Sequence, residues 1–182
     1  MQFEELTTAR LILRKLTPDA YRYLNEHLND DELAAFLGLE SEKSFKREKE
    51  KYRQGYTSFN RSMVSFLLIE KESMKVIGDC AYHTWIPNHF RAELGYGLYK
   101  DVYKQKGYMN EALEAVLDYG FNTMNLHRVE ALAATDNTAS LNLLKKFGFK
   151  FEGILREHYN VDGVMDDSVM HSLLRHEFKK ST

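Results

Sequence analysis

Cysteine occurs once and proline twice in this 182-residue chain, and no stretch approaches the roughly 18 uncharged apolar residues of a membrane span. The lone Cys80 excludes a disulfide scaffold and any zinc site that needs two or more thiolates. The opening MQFEELTTARLILRKL carries charges throughout and no apolar run of signal length. Neither sign of charge dominates: 25 Lys and Arg against 27 Asp and Glu leave a formal net charge of −2, which argues against direct nucleic-acid binding. Neither a Gly-x-x-x-x-Gly-Lys run nor a Gly-x-Gly-x-x-Gly run occurs, so nucleoside triphosphate and dinucleotide sites have no support. The 7 histidines form no His-Glu-x-x-His pair, and no metal site is expected. With 43 % apolar and 13 % aromatic residues the chain can still build a core. One cytoplasmic domain over residues 1–182, free of any membrane, is the expectation.

Residues Leu11 to Leu16 read as a strand, and Thr17-Pro18-Asp19 opens a helix with Thr17 as N-cap and an apolar stripe at Ala20, Tyr23, Leu24 and Leu28. A second, highly charged helix is predicted over Ser41 to Tyr56, its mixed signs marking a solvated face. Met63–Ile69, Val76–Ile86 and Arg91–Tyr99 read as three strands of an antiparallel meander. The clearest helix runs from Gly107 to Met124, with Ala112, Leu113, Val116 and Leu117 on its apolar face. A strand (His127–Ala134), a short helix (Asn137–Phe147) and two strands (Phe149–Tyr159 and Ser168–Leu174) complete the chain, with Asp162-Gly163 inside the last connection. The order β-α-α-β-β-β-α-β-α-β-β predicts an α+β fold, a mixed and mostly antiparallel twisted sheet covered by helices.

The chemistry concentrates where the third meander strand meets the long helix. Unpaired N–H groups at a helix start attract anions, Lys104 and Lys106 add charge, and Gly107 permits close approach. From local composition alone, an ordinary strand-to-helix turn with solvated lysines is the first reading, one Gly and two Lys being a weak signal.

The runs KQKGYMNEALEAVLDYGF, LHRVEA and NTASLNLLKKFGFKFEG resemble the GCN5-related N-acetyltransferase (GNAT) superfamily, and the closing VDGVMDDSVMHSLLRHEF resembles its branch that acetylates ribosomal-protein N-termini. The resemblance covers residues 91–178 and implies an acetyl-CoA co-substrate with no metal, its site splayed between two neighbouring strands. It places the pyrophosphate in the loop that opens at Lys104, chiefly on the backbone N–H groups of Gln105, Lys106, Gly107, Tyr108 and Met109, with Lys104 and Met109 departing from the family's usual residues. The pantetheine would pair with the backbone of Leu98 and Tyr99. Asn137 would face the cofactor, although as an N-cap it has a structural role too. The proton-donating Tyr of many members is replaced by Leu144, so Ser140 becomes the candidate beside the thiol.

For the base, Glu93 lies on the strand face opposite Ala92, Leu94 and Tyr96; alternatively it is an exposed glutamate paired with Arg91, His89 or Arg128. Tyr82, Trp85, Tyr96 and Tyr159 read as acceptor-pocket or core aromatics. The activity implied is direct acetyl transfer to a primary amine, foremost a protein N-terminal α-amine. The alternatives are a small amine (polyamine, amino acid or aminoglycoside) and a non-catalytic acyl-CoA-binding protein. Branch resemblance leaves a homodimer open.

Overall fold

Thr17 caps the first helix as its sequence predicts: its side chain accepts the Ala20 N–H, and Pro18 occupies the first turn. From such local signals the computed structural model, which describes residues 1–58 and 60–179, builds eight strands and five α-helices. In chain order they are β1 (Glu5–Thr7), β2 (Leu11–Leu16), α1 (Pro18–His27), α2 (Asp30–Leu37), α3 (Glu42–Gln54), β3 (Ser62–Glu70), β4 (Val76–Ile86), β5 (Arg91–Leu98), α4 (Tyr108–Asn122), β6 (Arg128–Ala134), α5 (Thr138–Lys146), β7 (Lys150–Val161) and β8 (Val164–Leu174). One mixed sheet takes the order β1-β2-β3-β4-β5-β6-β8-β7, and among the described residues only the β5/β6 pair is parallel. The α+β architecture is the one the sequence predicts.

Three elements depart from expectation. Strand β1 pairs with β2 and was too short to show periodicity. Helix α2 stands where only a connection was expected, held by an Asn29–Glu32 capping box at one end and by Gly38 at φ 70° at the other. The last connection is not a long loop: β7 runs to Val161 and β8 starts at Val164, leaving Asp162 (φ 51°) and Gly163 (φ 92°) as a two-residue turn. Positive φ at both positions is what a type I′ hairpin needs, and Asp-Gly is among the pairs that adopt it readily.

Strand alternation divides the core in two. Leu11, Leu13, Phe66, Ile77, Tyr82 and Leu94 face α4, whose Ala112, Leu113, Val116 and Leu117 are fully buried, and α5 joins this layer through Leu144. On the opposite face, Leu16 and Leu67 pack against Ala20, Tyr21 and Leu24 of α1 and Leu33 and Leu37 of α2. Cys80 is wholly buried and burial raises its thiol pKa, consistent with a packing role.

Candidate active site

Strands β5 and β6 pair over only three residues, Arg91 with Arg128, Ala92 with Val129 and Glu93 with Glu130, and then part. On its other side β5 continues in register with β4 as far as Leu98, which lies opposite Gly78. The Tyr99 N–H donates to the Ile77 carbonyl at 2.9 Å. Antiparallel alternation therefore turns the peptide groups of Leu94, Tyr96 and Leu98 toward the β6 side, where the ladder has ended. Of the predicted pantetheine partners, Leu98 has its peptide groups on this open edge, whereas the Tyr99 N–H is committed to β4.

The gap leads to the start of α4. The other four helices begin at a side-chain cap (Thr17, Asn29, Ser41 and Asn137), whereas α4 begins at Gly107 with no side-chain cap. Gly107 holds φ 79° and Gln105 φ 59°, left-handed conformations that curl the loop around the helix end. The first-turn N–H groups are thus free to meet an anion. Met109 turns away from that end and packs on the main core. Lys104 is not a free cation, because Asp101 holds its ammonium at 2.6 Å.

Arg10, which sequence reading missed, sits on this loop. Its Nη1 donates to the Lys106 carbonyl at 2.9 Å, its Nε binds Glu111 at 2.8 Å, and its guanidinium lies 4.5 Å from the centre of the Tyr108 ring. Glu111 is also bonded by Thr8 and by the Arg10 backbone N–H. An acidic residue in the first turn would repel a phosphate; here its charge is met by Arg10. The Tyr108 hydroxyl donates to Glu70. No local signal could tie residue 10 to residue 106, because the link exists only once β2 lies beside α4.

Across the gap, the Ser140 hydroxyl of α5 lies 2.8 Å from the Tyr96 hydroxyl of β5. Burial raises the Tyr96 pKa and the Ser140 hydrogen bond only partly opposes it, so Tyr96 keeps its proton at neutral pH. Asn137 caps α5 by accepting the Ser140 N–H at 3.1 Å, which fixes the backbone beneath that hydroxyl. Leu144 is fully buried in the core.

Glu93 points to the other face of the sheet. Arg91 and Arg128 both bind Glu130, at 2.8 Å each, so neither neutralises Glu93 as the alternative reading expected. Its cross-strand neighbour is His83, whose Nε2 lies 3.7 Å from Oε1. The charge of Glu93 is felt by Tyr159, whose pKa is raised first by burial and then by this carboxylate. On this face a groove of about 1360 Å³ runs between β4, β5, α2 and α3. Its floor includes Asp79, Ala81, His83, Gly95, Gly97 and Tyr99. Glu48 of α3, expected on a solvated helix, is buried here and accepts the Tyr56 hydroxyl at 2.7 Å. Burial pushes the Asp79 carboxyl above its usual value, and the Tyr21 and Tyr56 hydroxyls are raised for the same primary reason. No group of three or more His, Cys, Asp or Glu suited to a metal occurs among the described residues.

Strands that part beside an uncapped helix end leave a row of open backbone groups leading to an anion-binding terminus, a site for an extended ligand that carries an anionic end. The family model described as an acetyltransferase (GNAT) domain matches residues 10–150, and the chain belongs to that family, the acetyl-CoA-dependent N-acetyltransferases. An uncharacterized N-acetyltransferase p20 of Bacillus licheniformis is 32 % identical over 176 residues, covering 96 % of this chain and 98 % of that protein. The [ribosomal protein uS5]-alanine N-acetyltransferase of Escherichia coli is 31 % identical over 109 residues, 59 % of this chain and 56 % of the relative. The crystal structure of spermidine/spermine N-acetyltransferase SpeG from Vibrio cholerae superposes with a TM-score of 0.66 at 23 % identity, covering 92 % of this chain and 94 % of that one, and shares its fold.

Proposed function

We propose that the chain acetylates a primary amine carried on an extended acceptor, foremost a protein N-terminal α-amine, by direct transfer within a ternary complex. The observation that carries this is the placement of Glu93 and of the Tyr96–Ser140 pair on opposite faces of β5, with the strand gap between them. Attack on a thioester needs a neutral amine on one side and a proton for the thiolate on the other. The acyl group lies in the gap, and its diphosphate sits on the N–H groups from Gln105 to Met109. The amine approaches over the groove and passes its proton to Glu93, directly or through water. The carbonyl oxygen is polarised by strand N–H groups of β5 as charge develops. Tyr96, kept neutral by burial and bonded to Ser140, donates to the departing sulfur. The likeness to the uS5-alanine enzyme supports a protein N-terminus as acceptor.

A second reading, a small polycationic amine, is favoured by one observation: Asp79 and Glu48 lie in the groove among Tyr21, Tyr56 and Tyr99. Carboxylates beside aromatic faces suit an ammonium. Titration of acetyl-CoA into wild type and Gly107→Glu, followed by thiol release with an alanine-initiated peptide and with spermidine, separates the readings. Absence of acetyl-CoA binding by the wild type, or unchanged binding by Gly107→Glu, overturns the site; turnover of spermidine alone replaces the acceptor.

A further inference from the structure

Glycine inside a central strand weakens it by about 0.5–1 kcal/mol and persists where backbone conformation, packing or a close ligand requires it. Glu93, Gly95, Gly97 and Tyr99 alternate onto one face of β5 and its end, and the last three line the groove. Gly95 has a packing reason, since a Cβ there would stand 2.7 Å from the His83 Nε2 atom. Gly97 has none: a Cβ built on it meets nothing within 4 Å. Nor does conformation require glycine, because Gly97 is not among the residues with positive φ, which include Gly38, Gly55, Gly107, Gly148 and Gly163. A valine or tyrosine would suit the strand better.

The open space above Gly97 is part of the groove, beside its ladder partner Asp79. Glu93 is four residues away along the same face, about 13 Å at the usual strand rise. We propose that Gly97 is a specificity-determining residue: its missing side chain leaves a slot in the groove floor that receives the acceptor chain beyond the reacting amine. An extended peptide main chain can lie directly on this floor. Its N–H groups come within reach of the Asp79 carboxylate. This deepens the N-terminal-amine reading and rests on it.

The test compares Gly97→Ala and Gly97→Val with wild type, and Gly153→Ala serves as control, because Gly153 in β7 also meets nothing within 4 Å and lies outside the groove. Binding of an alanine-initiated hexapeptide to the protein saturated with coenzyme A is measured by calorimetry, beside acetyl-CoA affinity and thermal midpoint. The expected result is peptide affinity lower by about tenfold in Gly97→Ala and by more in Gly97→Val, within the range one misplaced methylene produces. Acetyl-CoA affinity stays unchanged, the thermal midpoint holds or rises, and Gly153→Ala behaves as wild type. Unchanged peptide affinity in Gly97→Val overturns the slot and leaves the acetyltransferase reading standing. Loss of acetyl-CoA affinity or of stability together with peptide binding also overturns it, since the lesion is then general. A wild type that binds acetyl-CoA but no peptide removes the N-terminal-amine reading and the slot with it.

Discussion

The Tyr96 and Ser140 hydroxyls meet at 2.8 Å across the place where β5 and β6 part, joining a strand to a helix 44 residues further along the chain. Two hydroxyls in contact share one role, and their effects on rate are coupled. Tyr96→Phe is expected to lower kcat by about 100-fold, the lower end of what general-acid catalysis supplies. Ser140→Ala lowers it less, and the double variant loses no more than Tyr96→Phe alone. Steady-state kinetics with all three variants measures this; additive losses would show that the hydroxyls act separately. Because burial raises the Tyr96 pKa above the usual 10.0, any fall in rate from its ionisation lies on the alkaline side of that value.

Among the described residues Glu93 has His83 at 3.7 Å and no arginine partner, since Arg91 binds Glu130 and Arg128 binds Glu130 and Glu152. Its carboxylate can therefore take the amine proton rather than hold a guanidinium. Glu93→Gln is expected to lower kcat/KM by about 100-fold at neutral pH. The residual rate should then climb with pH, because the acceptor must arrive already neutral, and level off at the acceptor's own pKa. A pH–rate profile unchanged in shape and height would remove Glu93 from the reaction.

Much of the frame was legible because local chemistry is strong there. Thr17-Pro18, the β3–β5 meander and the apolar stripe of α4 are written in residues a few positions apart, and so is the Gly107 helix start. The signals for α2 were present as well, Asn29 with Glu32 and then Gly38, but eight residues with a weak apolar face hid them. The site is a different matter. Tyr96 could be placed on a face, yet nothing in the sequence said that α5 would bring Ser140 to it. Glu48 reads as one charge in a solvated run until α3 lies on the sheet and Tyr56 closes over it. Contacts between distant residues are products of topology, and local periodicity does not encode them.

Arg10 and Thr8 hold Glu111, and so tie the β1–β2 turn to the first turn of α4. Burial of Glu111 works against its ionisation, but the bonds from Thr8 and Arg10 outweigh it and keep the carboxyl below the usual 4.5. A group whose folded pKa is depressed binds fewer protons than in the unfolded chain. Its contribution to stability is therefore full above the unfolded value and drains as pH falls through the folded one. The difference in unfolding free energy between wild type and Glu111→Gln should be constant above about pH 5.5 and close progressively in acid. Arg10→Ala is expected to weaken acetyl-CoA binding by about tenfold, or 1.4 kcal/mol, because the loop at Lys106 loses its tether and a cation. Denaturant titration across pH and calorimetry with acetyl-CoA check the two halves independently.

Gly120 lies inside α4, where glycine costs about 1 kcal/mol relative to alanine and replacement would ordinarily stabilise. Here the sign is reversed by Tyr82. That side chain is completely buried and its hydroxyl donates to the Val116 carbonyl at 2.9 Å, so it cannot swing aside without leaving a polar group unpaired. A Cβ on residue 120 would stand 2.2 Å from the Tyr82 hydroxyl and 2.6 Å from its ring carbon. Overpacking of this kind costs about 1–3 kcal/mol, which exceeds the helix gain at the upper end and cancels it at the lower. Breaking the Tyr82 hydrogen bond adds to the cost. Gly120→Ala is therefore expected to destabilise the protein, and Tyr82→Phe in the same chain should recover part of the loss by removing the clashing oxygen together with the unpaired donor. Urea unfolding of the two single variants and the double variant decides it: a stabilised Gly120→Ala would mean that α4 shifts freely against β4, and with it the helix end that the diphosphate needs.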